Sequence, residues 1–260
     1  MALLEVSGLE KSFGGVTALA DVRFRVPEGV VYAVIGPNGA GKTTLFNTLC
    51  GYERPDGGTV HLAGEPLAGL PPHAVAARGV SRTFQNLQVF FNMTALENVM
   101  VGCHLRSRSG LLGAALRLPH VREEERRVRQ WAREALELCA LGELEGREAS
   151  SLAYGVLKRL EVARALAARP RLLLMDEPAA GLNDTETAEM GGLIGRIRDS
   201  GVTVLLVEHN MELVMQIADR VLVLEYGSVL AEGTPSEVQS NRRVIDAYLG
   251  GQVQYAVVWG

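Results

Sequence analysis

The sequence predicts an α/β fold built on a mostly parallel sheet covered by helices on both faces. Three observations carry this. In the second half of the chain, apolar runs that read as strands (172–175, 202–207 and 221–224) alternate with helical stretches (186–199 and 211–218). That alternation produces parallel strands with crossover helices. Nearer the N-terminus a β-branched run, 30–35, stops at Gly36-Pro37, crosses a glycine-rich loop and enters a helix over 42–50. Between these stretches, from about residue 86 to 150, strand patterns fade and helical ones take over.

Taken in order, residues 3–9 and 19–26 read as two short strands around a Gly14-Gly15 turn. The helix over 42–50 is ended by Gly51, and a strand over 59–63 follows the turn Asp56-Gly57-Gly58. Over 123–139, Val128, Trp131, Ala132, Ala135, Leu138 and Cys139 recur at helical spacing. Charges of both signs around them (Glu123, Glu124 and Glu125 with Arg126, Arg127, Arg129 and Arg133) read as a solvated face. A helix over 157–168 follows, then the alternating strands and helices. The turn Tyr226-Gly227-Ser228 leads to a strand over 229–232, and 242–249 reads as a last helix. The chain shows no internal repeat and no low-complexity segment.

Composition narrows the function. Of 260 residues, 47% are hydrophobic and 22% charged, a globular balance that excludes a largely disordered or fibrous chain. The net charge of -4 and pI near 5.8 argue against a dedicated nucleic-acid binder, which is normally basic. The 29 glycines exceed the usual ~7% and suit tight turns or close approach of backbone to a ligand. Cys50, Cys103 and Cys139 lie far apart, without disulfide or zinc-ligand spacing, and read as buried small hydrophobes. The N-terminus lacks the apolar stretch of a signal peptide, and no apolar run reaches the ~18 residues that span a bilayer. A soluble chain whose membrane role goes through a partner is the expectation.

Two motifs carry chemistry. Gly36, Pro37, Asn38, Gly39, Ala40, Gly41, Lys42 and Thr43 fit GxxxxGK[ST] between a strand and a helix. Glycines let backbone N–H groups curl around phosphate oxygens, and the helix N-terminus adds its positive dipole end. Lys42 supplies a cation for β- and γ-phosphates, Thr43 offers a hydroxyl to Mg²⁺, and Thr44 completes the nucleotide-binding set. The second motif is a buried strand ending in Asp176 and Glu177. Strand C-terminal ends gather on the ligand face of a parallel sheet. Asp176 is therefore a candidate Mg²⁺ ligand and Glu177 a candidate general base for the attacking water.

Together these motifs make the chain resemble an ATP-binding subunit of an ABC transporter over nearly its whole length. The resemblance implies a P-loop NTPase with a RecA-like core, an antiparallel β subdomain and a helical subdomain. Residues 1–85 and 160–250 would form the ATP-binding core with its β subdomain, 86–159 the helical subdomain with the signature motif, and 251–260 a tail. Gln85 stands at the Q-loop position, implying contact with Mg²⁺ and the attacking water. Leu152-Ala153-Tyr154-Gly155-Val156 stands at the signature position, Ala180-Gly181-Leu182-Asn183 looks like the D-loop, His209 like the switch histidine, and Phe13 like the aromatic that stacks on adenine.

The stretches Arg82-Thr83-Phe84-Gln85, Leu152-Ala153-Tyr154-Gly155 and Asp176-Glu177-Pro178-Ala179-Ala180-Gly181-Leu182-Asn183 look like the branched-chain amino-acid importer branch. So do Asn210-Met211 and the ending Val244-Ile245-Asp246-Ala247-Tyr248-Leu249-Gly250. Related branches serve urea, short amides, other amino acids or lipopolysaccharide export. The implied assembly is a head-to-tail dimer with itself or a paralogue, bound to transmembrane permease subunits at the cytoplasmic face of the membrane. A separate solute-binding protein would act indirectly, and no nucleic acid takes part. The implied ligands are ATP and Mg²⁺.

The alternatives are a soluble ABC-type ATPase of nucleic-acid repair or translation, and a regulatory subunit that binds ATP without turnover. A single motif set, no long heptad run and the acidic pI oppose the first; intact Glu177 and His209 oppose the second. The chain departs from the common LSGGQ signature at Ala153, Tyr154, Val156 and Leu157. The backbone of Gly155 and the start of the following helix are expected to carry most of the contact to the opposite nucleotide. Asn183 replaces a D-loop aspartate and can still hydrogen-bond across a dimer. Phe90 and Phe91 would border a groove for a permease helix or belong to the local core. No functional reading follows for the apolar end Tyr255-Ala256-Val257-Val258-Trp259.

Overall fold

The computed structural model describes residues 2–104 and 119–251. Two sheets organise it. Strands β1 (Ala2–Phe13) and β2 (Val16–Pro27) form a long hairpin. β1 also pairs antiparallel with β4 (Gly57–Leu62), which carries the two-residue β5 (Glu65–Pro66), giving the order β2-β1-β4-β5. The second sheet contains β3 (Val31–Ile35), β6 (Val80–Arg82), β7 (Leu172–Asp176), β8 (Thr203–Val207), β9 (Arg220–Glu225) and β10 (Ser228–Gly233). Its order is β10-β9-β3-β8-β7-β6, and every pairing except β10 with β9 is parallel. The predicted α/β architecture is thus present.

The continuous apolar runs explain the central strands. β3, β7 and β8 are buried at every position, as expected where both faces of a parallel sheet are covered. Their side chains divide by strand alternation. Leu172, Leu174, Leu205 and Val207 join a core shared with the antiparallel sheet, Leu45 and Phe46. Leu173, Met175, Val204 and Leu206 join a second core with Leu136, Leu160 and Leu193. A third cluster packs Ile35, Val214, Val221 and Val244.

Among the described residues the α-helices are α1 (Lys42–Leu49), α2 (Pro72–Ala77), α3 (Ala95–Gly102), α4 (Pro119–Leu138), α5 (Tyr154–Ala167), α6 (Asp184–Asp199), α7 (Met211–Ile217), α8 (Pro235–Gln239) and α9 (Arg242–Gly251). α3, α4 and α5 pack on one another and contribute Val99, Leu136 and Leu160 to the second core. Among the described residues no helix is long and apolar enough to cross a membrane.

Several features differ from the sequence expectation. The hairpin strands run longer than 3–9 and 19–26, because pairing with each other carries polar residues that show no strand pattern. Of the predicted turn Asp56-Gly57-Gly58, only Asp56 precedes the strand, and Gly57 and Gly58 open β4. A Cβ at Gly58 would lie 2.2 Å from the Gly8 carbonyl oxygen, so only glycine lets β1 and β4 approach there. β6 was not anticipated. Its three residues hold no apolar run, and its strand conformation comes from parallel pairing of Val80 with Leu172 and Arg82 with Leu174. α5 begins at Tyr154 rather than 157, with Ala153 extended as its N-cap. The apolar end at 255–259 lies outside the described residues.

The cysteines behave as read: Cys50, Cys103 and Cys139 are buried thiols. Burial pushes Cys50 up to about 11 and Cys139 up to about 12, so neither forms thiolate near neutrality. An Ellman assay of the native chain at pH 8 is expected to label less than one thiol within minutes, and all three free cysteines after unfolding.

Candidate functional site

The site begins with strand register. Val34 of β3 lies opposite Val207 of β8, and Asp176 of β7 lies opposite the same residue. Three parallel strands therefore end at one edge, and the loops that follow Ile35, Asp176 and Val207 emerge together. This edge collects the phosphate loop, Glu177 and His209.

Steric closeness forces the glycines of the loop. A Cβ at Gly36 would sit 2.2 Å from the Leu224 carbonyl oxygen, and one at Gly41 would sit 2.5 Å from that of Ala18. Gly36, Gly39 and Gly41 all hold positive φ, which side chains resist. Gly41 is the N-cap of α1, and Asn38, Gly39 and Thr43 face solvent while Ala40 and Lys42 are buried. Lys42 Nζ donates to the carbonyl oxygens of Gly36 (2.6 Å) and Pro37 (3.0 Å). An ammonium has three donors, so one remains for a phosphate. Burial lowers the Lys42 pKa, opposed by the negative charges of Glu177 and Asp176.

Glu177 is held from both sides. Gln85 Nε2 donates to its Oε2 at 2.9 Å, and His209 Nε2 lies 3.0 Å from its Oε1. Its backbone N–H donates to Val207 at 2.9 Å, and its φ of 49° is left-handed. A non-glycine residue there stores roughly 1–3 kcal/mol of strain, a pattern that clusters at functional sites. Gln85, Glu177 and His209 thus converge, with Lys42 and Asp176 close enough to feel the same field.

Three supporting groups went unassigned in the sequence. Asp176 is paired with Arg82 at 2.7 Å, with both side chains largely buried. Glu208 is buried and accepts three backbone N–H groups: Ala179 at 2.8 Å, His209 at 2.9 Å and Asn210 at 3.3 Å. It thereby joins the loops after β7 and β8. One face of α5 grips the Gln85 segment: Lys158 Nζ donates to Gln85 O at 3.0 Å, Glu161 accepts from Phe84 N at 3.2 Å, and Arg164 donates to Gln88 O. Burial raises the Glu161 pKa, opposed by the Phe84 N–H. The available signal was charge at positions where periodicity calls for apolar residues. Lys158, Glu161 and Arg164 recur every three residues on the inner face of a helix.

The remaining candidates sit elsewhere. Phe13 is 46% exposed at the hairpin tip, with Lys11 Nζ 5.0 Å above its ring. The hairpin leans on the phosphate loop through Ala18, and the Gly227 backbone bonds both Ala20 (2.8 Å) and Ala40 (3.0 Å). Ala153, Tyr154 and Gly155 start α5, and among the described residues no hydrogen bond joins them to the phosphate loop of the same chain. Tyr154 Oη instead donates to Ala180 O at 3.4 Å. The atypical Val156 and Leu157 pack into the second core. Across α5 and the Gln85 loop from these groups lies a groove of about 650 Å³ lined by Tyr52, Val75, Phe84, Leu87, Phe90 and Arg164. Phe90 and Phe91 are both exposed at its side of the molecule.

The residues fit a nucleotide and a hard divalent ion. The loop presents Asn38, Gly39 and Thr43 to solvent at the N-terminus of α1, where backbone N–H groups suit a phosphate, and Thr43, Gln85 and Asp176 offer oxygen donors. Among the described residues no cluster of three His, Cys, Asp or Glu side chains could hold a metal alone.

Comparison with known proteins places this geometry. The chain matches the ABC transporter family over residues 19–180. Residues 228–254 match the family described as branched-chain amino acid ATP-binding cassette transporter. It is 48% identical over 249 residues to the high-affinity branched-chain amino acid transport ATP-binding protein BraF of Pseudomonas aeruginosa, covering 95% of this chain and 98% of that one. LivG of Escherichia coli K12, with the same description, is 45% identical at the same coverage. The solved ADP conformation of MJ1267, an ATP-binding cassette of an ABC transporter, aligns with a TM-score of 0.83 at 31% identity, covering 96% of this chain and 99% of that one. The chain belongs to the ABC transporter family of ATP-binding cassettes.

Gly155 carries a packing duty that its position in the sequence does not announce. A Cβ there would lie 2.5 Å from Glu186 Oε1, and Glu186 is fixed in a capping box with Asn183 at the start of α6. Gly155→Asp is therefore expected to lower stability to urea by roughly 1–3 kcal/mol. Adding Glu186→Gln, which keeps the cap and removes the like charge, is expected to recover part of that loss.

Proposed function

We propose that this chain is the ATP-hydrolysing subunit of an importer of branched-chain amino acids. The observation that carries the hydrolytic part is the carboxylate of Glu177, held between Gln85 and His209 beside Lys42. The similarity to BraF and LivG supports the solute class.

In this reading the phosphate loop, 36–44, holds the triphosphate of ATP through backbone N–H groups, and Phe13 stacks on the adenine. Thr43 and Asp176 with Gln85 would hold Mg²⁺, which when bound would supply charge neutralisation on the β- and γ-phosphates. Gln85 orients the attacking water and Glu177 takes its proton. Lys42 stabilises charge on the phosphoryl oxygens as the bond to the leaving phosphate breaks, and His209 donates a hydrogen bond to the γ-phosphate.

Two ATP-binding chains, this one with itself or with a paralogue, meet head to tail. Ala153, Tyr154 and Gly155 of one then face the nucleotide of the other; Ala153 and Tyr154 are exposed at the start of α5, and the positive dipole end of that helix suits a phosphate. The γ-phosphate acts as a bridge between chains, lost on hydrolysis. Residues 1–85 and 160–250 serve as the ATP-binding core, 86–159 as the helical part that reaches the membrane subunits, and 251–260 as a tail. The groove beside Phe90 receives a helix of a permease subunit, and in this reading the chain works at the cytoplasmic face of the membrane.

Light scattering of purified Glu177→Gln protein tests the reading. The variant is expected to bind Mg·ATP, hydrolyse it at least a hundredfold more slowly than wild type on the scale of a lost general base, and shift from monomer to dimer. Absence of ATP binding would remove the basis of the proposal, whereas ATP-bound monomer would require a paralogue as the partner.

A further inference from the structure

We propose that Arg82 is a positioning residue for ATP hydrolysis: it orients the carboxylate of Asp176 for Mg²⁺. This rests on the ATPase reading above and adds a residue that reading does not use.

β6 is the edge strand beside β7, and Arg82 stands in register with Leu174, two residues before Asp176. The Thr83 N–H donates to Leu174 O at 2.9 Å, so pairing with β7 continues one residue past β6. From this fixed base the long side chain runs along the sheet edge to the end of β7, where one terminal nitrogen meets Asp176 Oδ2 at 2.7 Å. The other terminal nitrogen donates to Asn47 Oδ1, also at 2.7 Å. Asn47 belongs to α1, the helix that opens at the phosphate loop. The guanidinium is therefore a strut between the phosphate-loop helix and the acidic strand end.

Aromatic faces hold the strut in place. The guanidinium carbon lies 5.7 Å from the Phe46 ring centroid and 5.3 Å from that of Phe84, which packs edge-on against Tyr52. Arg82 Nε is buried and has no hydrogen-bond partner among the described residues. The side chain is thus placed to reach Asp176 and Asn47, at the expense of satisfying its own third nitrogen. A lysine in its place could neutralise Asp176 but could not bind both partners through one rigid plane.

The consequence concerns the metal. Arg82 occupies Oδ2 and fixes the carboxylate plane, so Oδ1 is the oxygen left for Mg²⁺ or its water. Partners that orient a metal-binding carboxylate typically change metal affinity 10–100-fold when removed. Arg82 also lines the groove on the far side, together with Phe84, so it borders both the nucleotide site and the surface proposed for the permease.

The test compares nucleotide affinity with and without metal in the full chain. A fluorescent ATP analogue is titrated into wild type, Arg82→Met, Arg82→Lys and Asn47→Ala, once in EDTA and once in excess Mg²⁺. The ratio of the two dissociation constants reports the metal's contribution, and thermal melting reports folding. In Arg82→Met the ratio is expected to fall about tenfold while affinity in EDTA stays within about twofold. Arg82→Lys should retain part of the ratio, and Asn47→Ala should lower it a few-fold, since the strut loses one anchor. An unchanged ratio in a cooperatively melting Arg82→Met would overturn the proposal. So would an equal loss of affinity in EDTA and Mg²⁺, which is the mark of a purely structural role. If Arg82→Met does not fold, an unchanged ratio in Asn47→Ala overturns it. A wild-type chain that binds ATP no better with Mg²⁺ would instead bring down the ATPase reading itself.

Discussion

Backbone hydrogen bonds hold β3, β8 and β7 parallel, with Val207 facing Val34 on one side and Asp176 on the other. That register delivers the phosphate loop, the Asp176-Glu177 pair and His209 to a single edge. A slip of two residues in any strand would move one of these groups by about 6.6 Å, given the rise per residue of a strand. A slip of one residue would exchange the two cores, because Leu173 and Leu206 face one and Leu172 and Leu205 the other. Burial of apolar surface on both faces of the sheet is therefore what keeps the chemistry in alignment.

The charges at this edge are tolerated because each has a partner. Lys42 is held by two loop carbonyls, Asp176 by Arg82, Glu177 by Gln85 and His209, and Glu208 by three backbone N–H groups. Removing one member of a buried pair costs about 3–5 kcal/mol, since the other charge is left uncompensated. The same pairings fix geometry. Glu208 ties the loop after β7 to the loop after β8 and so sets the position of His209 against Glu177. The left-handed backbone of Glu177 persists because these contacts over-determine it.

α5 links this edge to the rest of the molecule. Its first turn carries Ala153, Tyr154 and Gly155, its inner face grips the Gln85 loop through Lys158, Glu161 and Arg164, and its apolar side lies in the second core. Glu161 is 2% exposed; burial raises its pKa, and the Phe84 N–H and the neighbouring cations offset only part of that cost. The Gln85 loop is therefore anchored to the same helix whose first turn carries the residues proposed to meet a second nucleotide.

Much of this was legible in the residues. The phosphate loop follows from glycine at positions where a Cβ would strike backbone, and the central strands follow from apolar runs that tolerate burial on both faces. The α/β class and the strand-end position of Asp176 and Glu177 are consequences of the same local patterns. The sequence alone showed neither β6 nor the true start of α5, because a three-residue edge strand and a cap without a capping side chain leave no periodic mark. It could not show that Arg82 reaches Asp176 and Asn47, that Glu208 joins two loops, or that Gly155 lies against Glu186. Those pairs are separated by 29 to 94 positions or by opposite elements. Local preference encodes the conformation of each segment, whereas the partner of a buried charge is chosen only when the sheet closes and water is excluded.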